Sequence, residues 1–259
     1  MAKKKPLILV TNDDGITAPG IRMLIEVMNT LGDVCVVAPD SPQSAMGHAI
    51  TINDTLYCDK VRVLEDQTHQ EYSCSGTPVD CVKLAVNEIL KRKPDLCVSG
   101  INHGSNSSIN VIYSGTMSAA VEAGTLGIPS IGFSLLDYSM DADFEPARSF
   151  VKSIATQCLK KGLPTGVVLN VNIPKLPKNE IKGIKVCRQA NAHWEEQFDK
   201  RVNPLGREYY WLTGEFVNED KGEDTDEWAL HNGYISVVPV QFDLTAHHAI
   251  KDINTWDLS

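Results

Sequence analysis

The chain opens on an apolar run that stops at two acids and a glycine: Leu7-Ile8-Leu9-Val10-Thr11-Asn12-Asp13-Asp14-Gly15. A short β-prone run with this ending reads as a buried strand followed by a turn. The pattern then changes period. Ile21, Leu24, Ile25, Met28 and Leu31 fall on one helical face, Pro19 suits the start and Gly32 the stop, so a helix is predicted over 19–31. Two further apolar runs, Val34–Pro39 and Leu96–Gly100, each follow a helical pattern. Strands joined in that way lie parallel, and their carboxyl ends share one edge of the sheet. Ligands of open α/β sheets bind outside that edge.

Charge at that edge sets the chemistry. Two adjacent carboxylates repel, and without a partner one must take up a proton. A hard divalent cation removes the conflict, since it takes oxygen ligands and often one or two carboxylates beside a phosphate. The second run leads into Asp40-Ser41-Pro42-Gln43-Ser44, and the third into Ile101-Asn102-His103-Gly104-Ser105-Asn106. Asp13, Asp14, Ser44 and Asn102 can therefore converge as two charged oxygens, a hydroxyl and an amide carbonyl. That set is a protein half-shell for one Mg2+ or Mn2+ ion per subunit.

The alternation continues. Thr77 suits an N-cap, Pro78 the first helical position and Asp80 the positive helix end, with Val79, Val82, Val86, Ile89 and Leu90 on the buried face. A third helix opens at Ser114-Gly115-Thr116 and ends at Gly127, and a fourth follows Pro146 and stops at Gly162. Strands are expected at Ser130–Ser134 and Val167–Asn172, and short β-structure at 50–52, 56–58 and 61–64. The fold class is α/β: a Rossmann-like, doubly wound, mostly parallel sheet with a C-terminal β-hairpin extension. Residues 1–174 form the metal- and phosphate-binding core. Residues 175–259 form an extended hairpin and oligomerisation segment of the same domain. They hold all four tryptophans, and they are expected to follow a sheet already complete. The acidic run from Glu219 to Glu227 reads as a mobile, solvated loop.

Composition narrows the partners. A chain of 259 residues supplies one sizeable core, and a formal charge of −9 disfavours nucleic acid and anionic membrane. Only Leu7–Val10 is apolar near the N-terminus, too short for a signal peptide or a membrane span, and Lys3, Lys4 and Lys5 read as a solvated start. Seven cysteines with no Cys-x-x-Cys spacing fit free thiols in a reducing cytoplasm better than disulfides or zinc.

Ser114-Gly115-Thr116 is the best phosphate site, because a helix start exposes unpaired N–H groups and glycine permits close approach of an anion. Asn106 is placed to hydrogen-bond a phosphoryl oxygen, to hold a water, or to brace its loop. His48 and His103 lie in site loops, where bracing is the favoured role. Asp40 is placed to bind a sugar hydroxyl or to cap a turn.

These motifs resemble one family. Val10-Thr11-Asn12-Asp13-Asp14-Gly15, Ala38-Pro39-Asp40 with Gln43-Ser44, Ser99-Gly100-Ile101-Asn102-His103-Gly104-Ser105-Asn106 and Tyr113-Ser114-Gly115-Thr116 are similar to those of the stationary-phase survival protein family, SurE. Gly233–Pro239 and Asp243-Leu244-Thr245 resemble its late segment. One position departs: Asn110 stands where the family usually has an acid before Tyr-Ser-Gly-Thr. The resemblance implies a metal-dependent 5′-nucleotidase acting on nucleoside monophosphates, with 3′-nucleotidase and exopolyphosphatase activity left open. It also implies exchange of C-terminal elements between subunits, hence a homodimer or homotetramer.

The implied chemistry is metal-assisted hydrolysis of a phosphomonoester. Asp13 orients or deprotonates the attacking water, Asn106 assists, and Ser114, Gly115 and Thr116 hold the non-bridging oxygens. A non-catalytic nucleotide sensor with the same shell is the alternative, as is a receiver-like signalling domain. The receiver lacks its lysine here, since Ser134 is followed by Leu135-Leu136-Asp137. A dinucleotide-binding dehydrogenase would need Gly-x-Gly-x-x-Gly after the first strand, where this chain carries acids.

Overall fold

The computed structural model describes residues 5–65, 67–139 and 141–258; Lys3 and Lys4 lie outside them. Five of the sequence-predicted strands form the centre of the sheet. They are β1 (Leu7–Thr11), β2 (Asp33–Pro39), β5 (Leu96–His103), β6 (Ser130–Leu135) and β7 (Val167–Ile173). Outside them lie β3 (Cys58–Val61), β4 (Gln70–Cys74), β8 (Ile184–Val186) and β11 (Ile235–Gln241). The strand order is β3-β4-β2-β1-β5-β6-β7-β11-β8. The six strands from β4 to β7 are mutually parallel. Numbered along the chain, those six run 3-2-1-4-5-6, the Rossmann order, with the switch point between β1 and β5. A receiver-type sheet has a different order, 2-1-3-4-5.

Helices cover both faces. Ile8 and Val10 of β1 point into one cluster, with Leu24 of α1 (Pro19–Asn29) and Val151 of α4 (Arg148–Lys161). Leu9 points into the other, with Val82 of α2 (Pro78–Leu84) and Ala119 of α3 (Gly115–Thr125). The period-2 alternation of a strand buried on both sides produces this double winding. The predicted caps hold. Thr77 and Asp80 form a reciprocal capping box on α2, and Ser114 Oγ accepts the N–H of Met117 at the start of α3. Beyond Leu84 the second helix continues as a π turn over Ala85–Ile89.

Three expectations need correction. Of the β-prone runs between 50 and 64, only Cys58–Val61 is a strand. Its neighbour β4 has the polar sequence Gln-Glu-Tyr-Ser-Cys; buried Glu71 is held there by Arg22 and His69 at 2.7 and 2.6 Å. The sheet is also incomplete without the C-terminal segment. β11 pairs antiparallel with β7 and parallel with β8, extending the sheet by two strands. Finally, the acidic run is not a solvated loop. Asp220 binds Arg188 at 2.6 Å, Thr225 caps α5 (Asp226–His231), and Asp226 is buried. What does leave the core is the ribbon of β9 (Ala192–Val202) and β10 (Glu208–Asn218), a separate two-stranded sheet.

Candidate active site

The switch point places the β1 and β5 ends side by side, and Asp13, Asp14 and Asn102 lie at those ends. Asp13 is 4% exposed and Asp14 half-buried. Asp14 Oδ2 accepts the backbone N–H of His103 at 3.1 Å, which ties it to the end of β5. Between Ser99 and Asn102 the β5–β6 register shifts, an irregularity that re-aims the residues after it. The Nδ2 of Asn102 donates to the carbonyls of His103 and Gly104 at 3.1 and 3.0 Å. With its nitrogen so committed, the amide leaves Oδ1 as its available group. Ser44 is exposed, one residue beyond Gln43, whose N–H donates to the Asp13 carbonyl at 2.7 Å.

The start of α3 packs directly on Asp13. Thr116, fully buried, donates its hydroxyl hydrogen to Asp13 Oδ1. A Cβ on Gly115 would stand 2.8 Å from Asp13 Cβ and 2.9 Å from Oδ2, so glycine is what lets the helix approach. The start of α3 and the Asp13 carboxylate are thus in direct contact.

Electrostatics agree. Burial first, then the neighbouring Asp14 charge, pushes the Asp13 carboxyl up to about 6; burial also raises Asp14. No Lys, Arg or His makes an ion pair with either acid among the described residues. No group of three His, Cys, Asp or Glu suited to a metal ion occurs there either. Two adjacent carboxylates with no basic partner would suit a hard cation rather than zinc.

Asn106 braces its loop. It donates Nδ2 to Ser134 Oγ and its N–H to Asn172 Oδ1, both at 2.8 Å, and its carbonyl accepts Asn170 Nδ2 at 2.7 Å. The loop is also held from the C-terminal segment. Ser107 Oγ donates to Glu227 at 2.5 Å, and the Ser108 N–H to Asp226 at 2.8 Å. Sequence reasoning missed Ser134, Asn170, Asn172, Asp226 and Glu227. One signal existed: Asn170 and Asn172 alternate on one face at the carboxyl end of a buried strand. His48 bonds Glu122 at 3.0 Å, and the His103 ring meets Phe144 edge-on at 5.0 Å, so both are engaged. Asp40 is exposed and accepts the Ser41 hydroxyl at 2.7 Å. Asn110 accepts the indole N–H of Trp194 at 2.8 Å, a bond that ties the ribbon to the segment before Ser114.

A Rossmann-ordered sheet with paired acids at its switch point, backed by a helix start, defines a doubly wound α/β protein whose candidate site lies at that switch point. Residues 8–196 match the family described as Survival protein SurE. The chain is 78% identical to 5′-nucleotidase SurE of Christiangramia forsetii and 75% to that of Flavobacterium johnsoniae, each over 259 residues and the whole of both chains. Its structure superimposes on that of the SurE protein from Aquifex aeolicus with a TM-score of 0.83 at 42% identity, covering 96% of this chain and 98% of that one. The chain belongs to the SurE family.

Proposed function

We infer that this chain is a metal-dependent 5′-nucleotidase, hydrolysing nucleoside monophosphates to nucleoside and phosphate. The observation that carries the reading is the contact of Thr116 and Gly115 with Asp13, which joins a cation-type carboxylate to a phosphate-type helix start. Relatives at 78% and 75% identity bear the name of that activity.

Asp13, Asp14, Asn102 and Ser44 would hold one divalent ion, Mg2+ or Mn2+. Bound there, the ion supplies charge neutralisation for the phosphoryl oxygens and acidity to a water. Asp13 Oδ2 takes the proton of the attacking water, while the Thr116 hydrogen bond keeps Oδ1 fixed. The N–H groups at Gly115 and Thr116, with the Ser114 hydroxyl, hold the non-bridging oxygens as charge shifts in the transition state. Asn106 keeps its loop in place and offers its second amide hydrogen to the phosphoryl group.

We assign residues 175–259 to the same domain as 1–174, with the ribbon as an assembly arm. Its register places Trp194, Phe198, Val202, Tyr210, Leu212 and Phe216 on one face. Phe198 is 67% and Leu212 60% exposed in the single chain. A two-stranded ribbon is marginal in water, and aromatic side chains of this density favour an interface. A homodimer or homotetramer covers that face. Among the described residues no helix is long and apolar enough to cross a membrane. All seven cysteines are free, which supports a reducing compartment, the cytoplasm.

Phosphate release over a panel of nucleoside monophosphates, with Mg2+, Mn2+ or EDTA, tests the reading. Metal-dependent release is expected; full turnover in EDTA after dialysis would exclude it.

A further inference from the structure

The exposed ring of Tyr138 is unusual. Its residue is 76% exposed, yet the side chain is pinned at both ends. The hydroxyl accepts the N–H of Ser105 at 3.2 Å. The ring lies against Gly104, where a Cβ would come within 2.3 Å of Cε1 and 2.8 Å of Cδ1. The backbone beneath it is fixed as well. Asp137, 6% exposed, accepts Ser139 N–H and Oγ–H at 3.0 and 2.6 Å and the Lys175 ammonium at 2.9 Å. A freely solvated tyrosine needs none of this. The arrangement holds an aromatic face toward solvent in one orientation.

The location matters equally. Gly104 and Ser105 stand between Asn102 and Asn106, so the ring rests on the loop that borders the site. Tyr138 follows β6, which lies two strands from β1 and Asp13. Two strand spacings separate the ends of β1 and β6 by about 10 Å, a span on the scale of a nucleotide.

We propose that Tyr138 is the stacking surface for the nucleobase, and so a specificity-determining residue for a reaction whose phosphate end lies at Asp13 and Gly115. This rests on the nucleotidase reading above. Stacking on a single aromatic face tolerates any base, because every base has a π-face. The ring therefore selects nucleotides over base-free phosphates, and purines over pyrimidines through their larger overlap. Because Tyr138 is held before substrate arrives, little ordering cost is added on binding.

The test compares the KM for adenosine 5′-monophosphate with the inhibition constant of inorganic phosphate, which probes the phosphate end alone. In Tyr138→Leu the ratio of KM to inhibition constant should rise about tenfold, and in Tyr138→Phe, which keeps the ring, it should stay within about twofold. A ratio unmoved in Tyr138→Leu overturns the proposal, and so does an equal rise in both variants. Should Tyr138→Leu fail to fold, a tenfold rise in Tyr138→Phe alone overturns it. A wild-type enzyme that releases no phosphate from the nucleotide rejects the nucleotidase reading instead.

Discussion

Thr116 reaches Asp13 across 103 residues of chain and gives its hydroxyl hydrogen to Oδ1. That bond makes the acid of β1 and the first turn of α3 a single rigid unit. Thr116→Val keeps the shape and removes the donor. A buried acceptor left without its partner costs about 1–3 kcal/mol. Turnover should therefore fall by one to two orders of magnitude at most, with the divalent-ion affinity weakened but measurable. Steady-state kinetics with a Mn2+ titration check this, and unchanged kcat/KM would mean the bond has no part in the reaction.

Gly115→Ala carries an inverted sign. Replacing glycine in a helix by alanine ordinarily stabilises by about 0.5–1 kcal/mol. Here the new Cβ would stand 2.8 Å from Asp13 Cβ, so helix and acid must separate. The variant should melt below wild type and lose most activity while keeping its far-ultraviolet circular dichroism. A higher melting temperature with intact activity would disprove the close packing.

The Asp13–Asp14 pair predicts a stability profile that metal reverses. The Asp13 carboxyl moves from 3.8 to about 6 on folding. Between those values the folded chain holds more protons than the unfolded one, so stability falls as pH rises. This contribution is fully present below about pH 4 and lost above about pH 6. A divalent ion binds the ionised form and works in the opposite direction. The rise in melting temperature on adding Mn2+ should thus be larger at about pH 7 than at about pH 5. Equal increments at both would show that the acids are not the ion's ligands.

Assembly is checked through the ribbon. Phe198 and Leu212 face each other on its apolar side. Phe198→Glu with Leu212→Glu should lower the mass seen by light scattering to the 28.4 kDa of one chain. Wild type already at that mass, with full activity, would exclude the assembly arm.

The sequence reading and the structure part company at identifiable residues. The sheet centre was legible because strands buried on both faces, such as Leu7–Thr11 and Val34–Pro39, are continuous apolar runs between strong helix signals. That Asp13-Asp14 and Asn102 stand at neighbouring strand ends was legible because Rossmann topology fixes where strand ends meet. β4 was not, since one of the two partners that hold buried Glu71, Arg22, lies 49 residues away. β11 was obscured by Pro239, which in a run of this kind argues against a paired strand. The bracing of Asn106 was invisible for the same reason as β4: Asn172 lies 66 residues on, and no local pattern announces such a partner.

Asp226 gives the molecule a temporal property. Its carboxylate takes the N–H of Ser108, made 118 residues earlier, and that of Ala190. β11 enters the sheet later still, between β7 and β8. A ribosome that has delivered the acids of β1, the Asn102 loop and α3 has therefore not yet delivered the parts that lock them. The nascent chain carries every group proposed for the chemistry long before it can hold them in place, and the sheet behind them is completed by the last strand to emerge among the described residues.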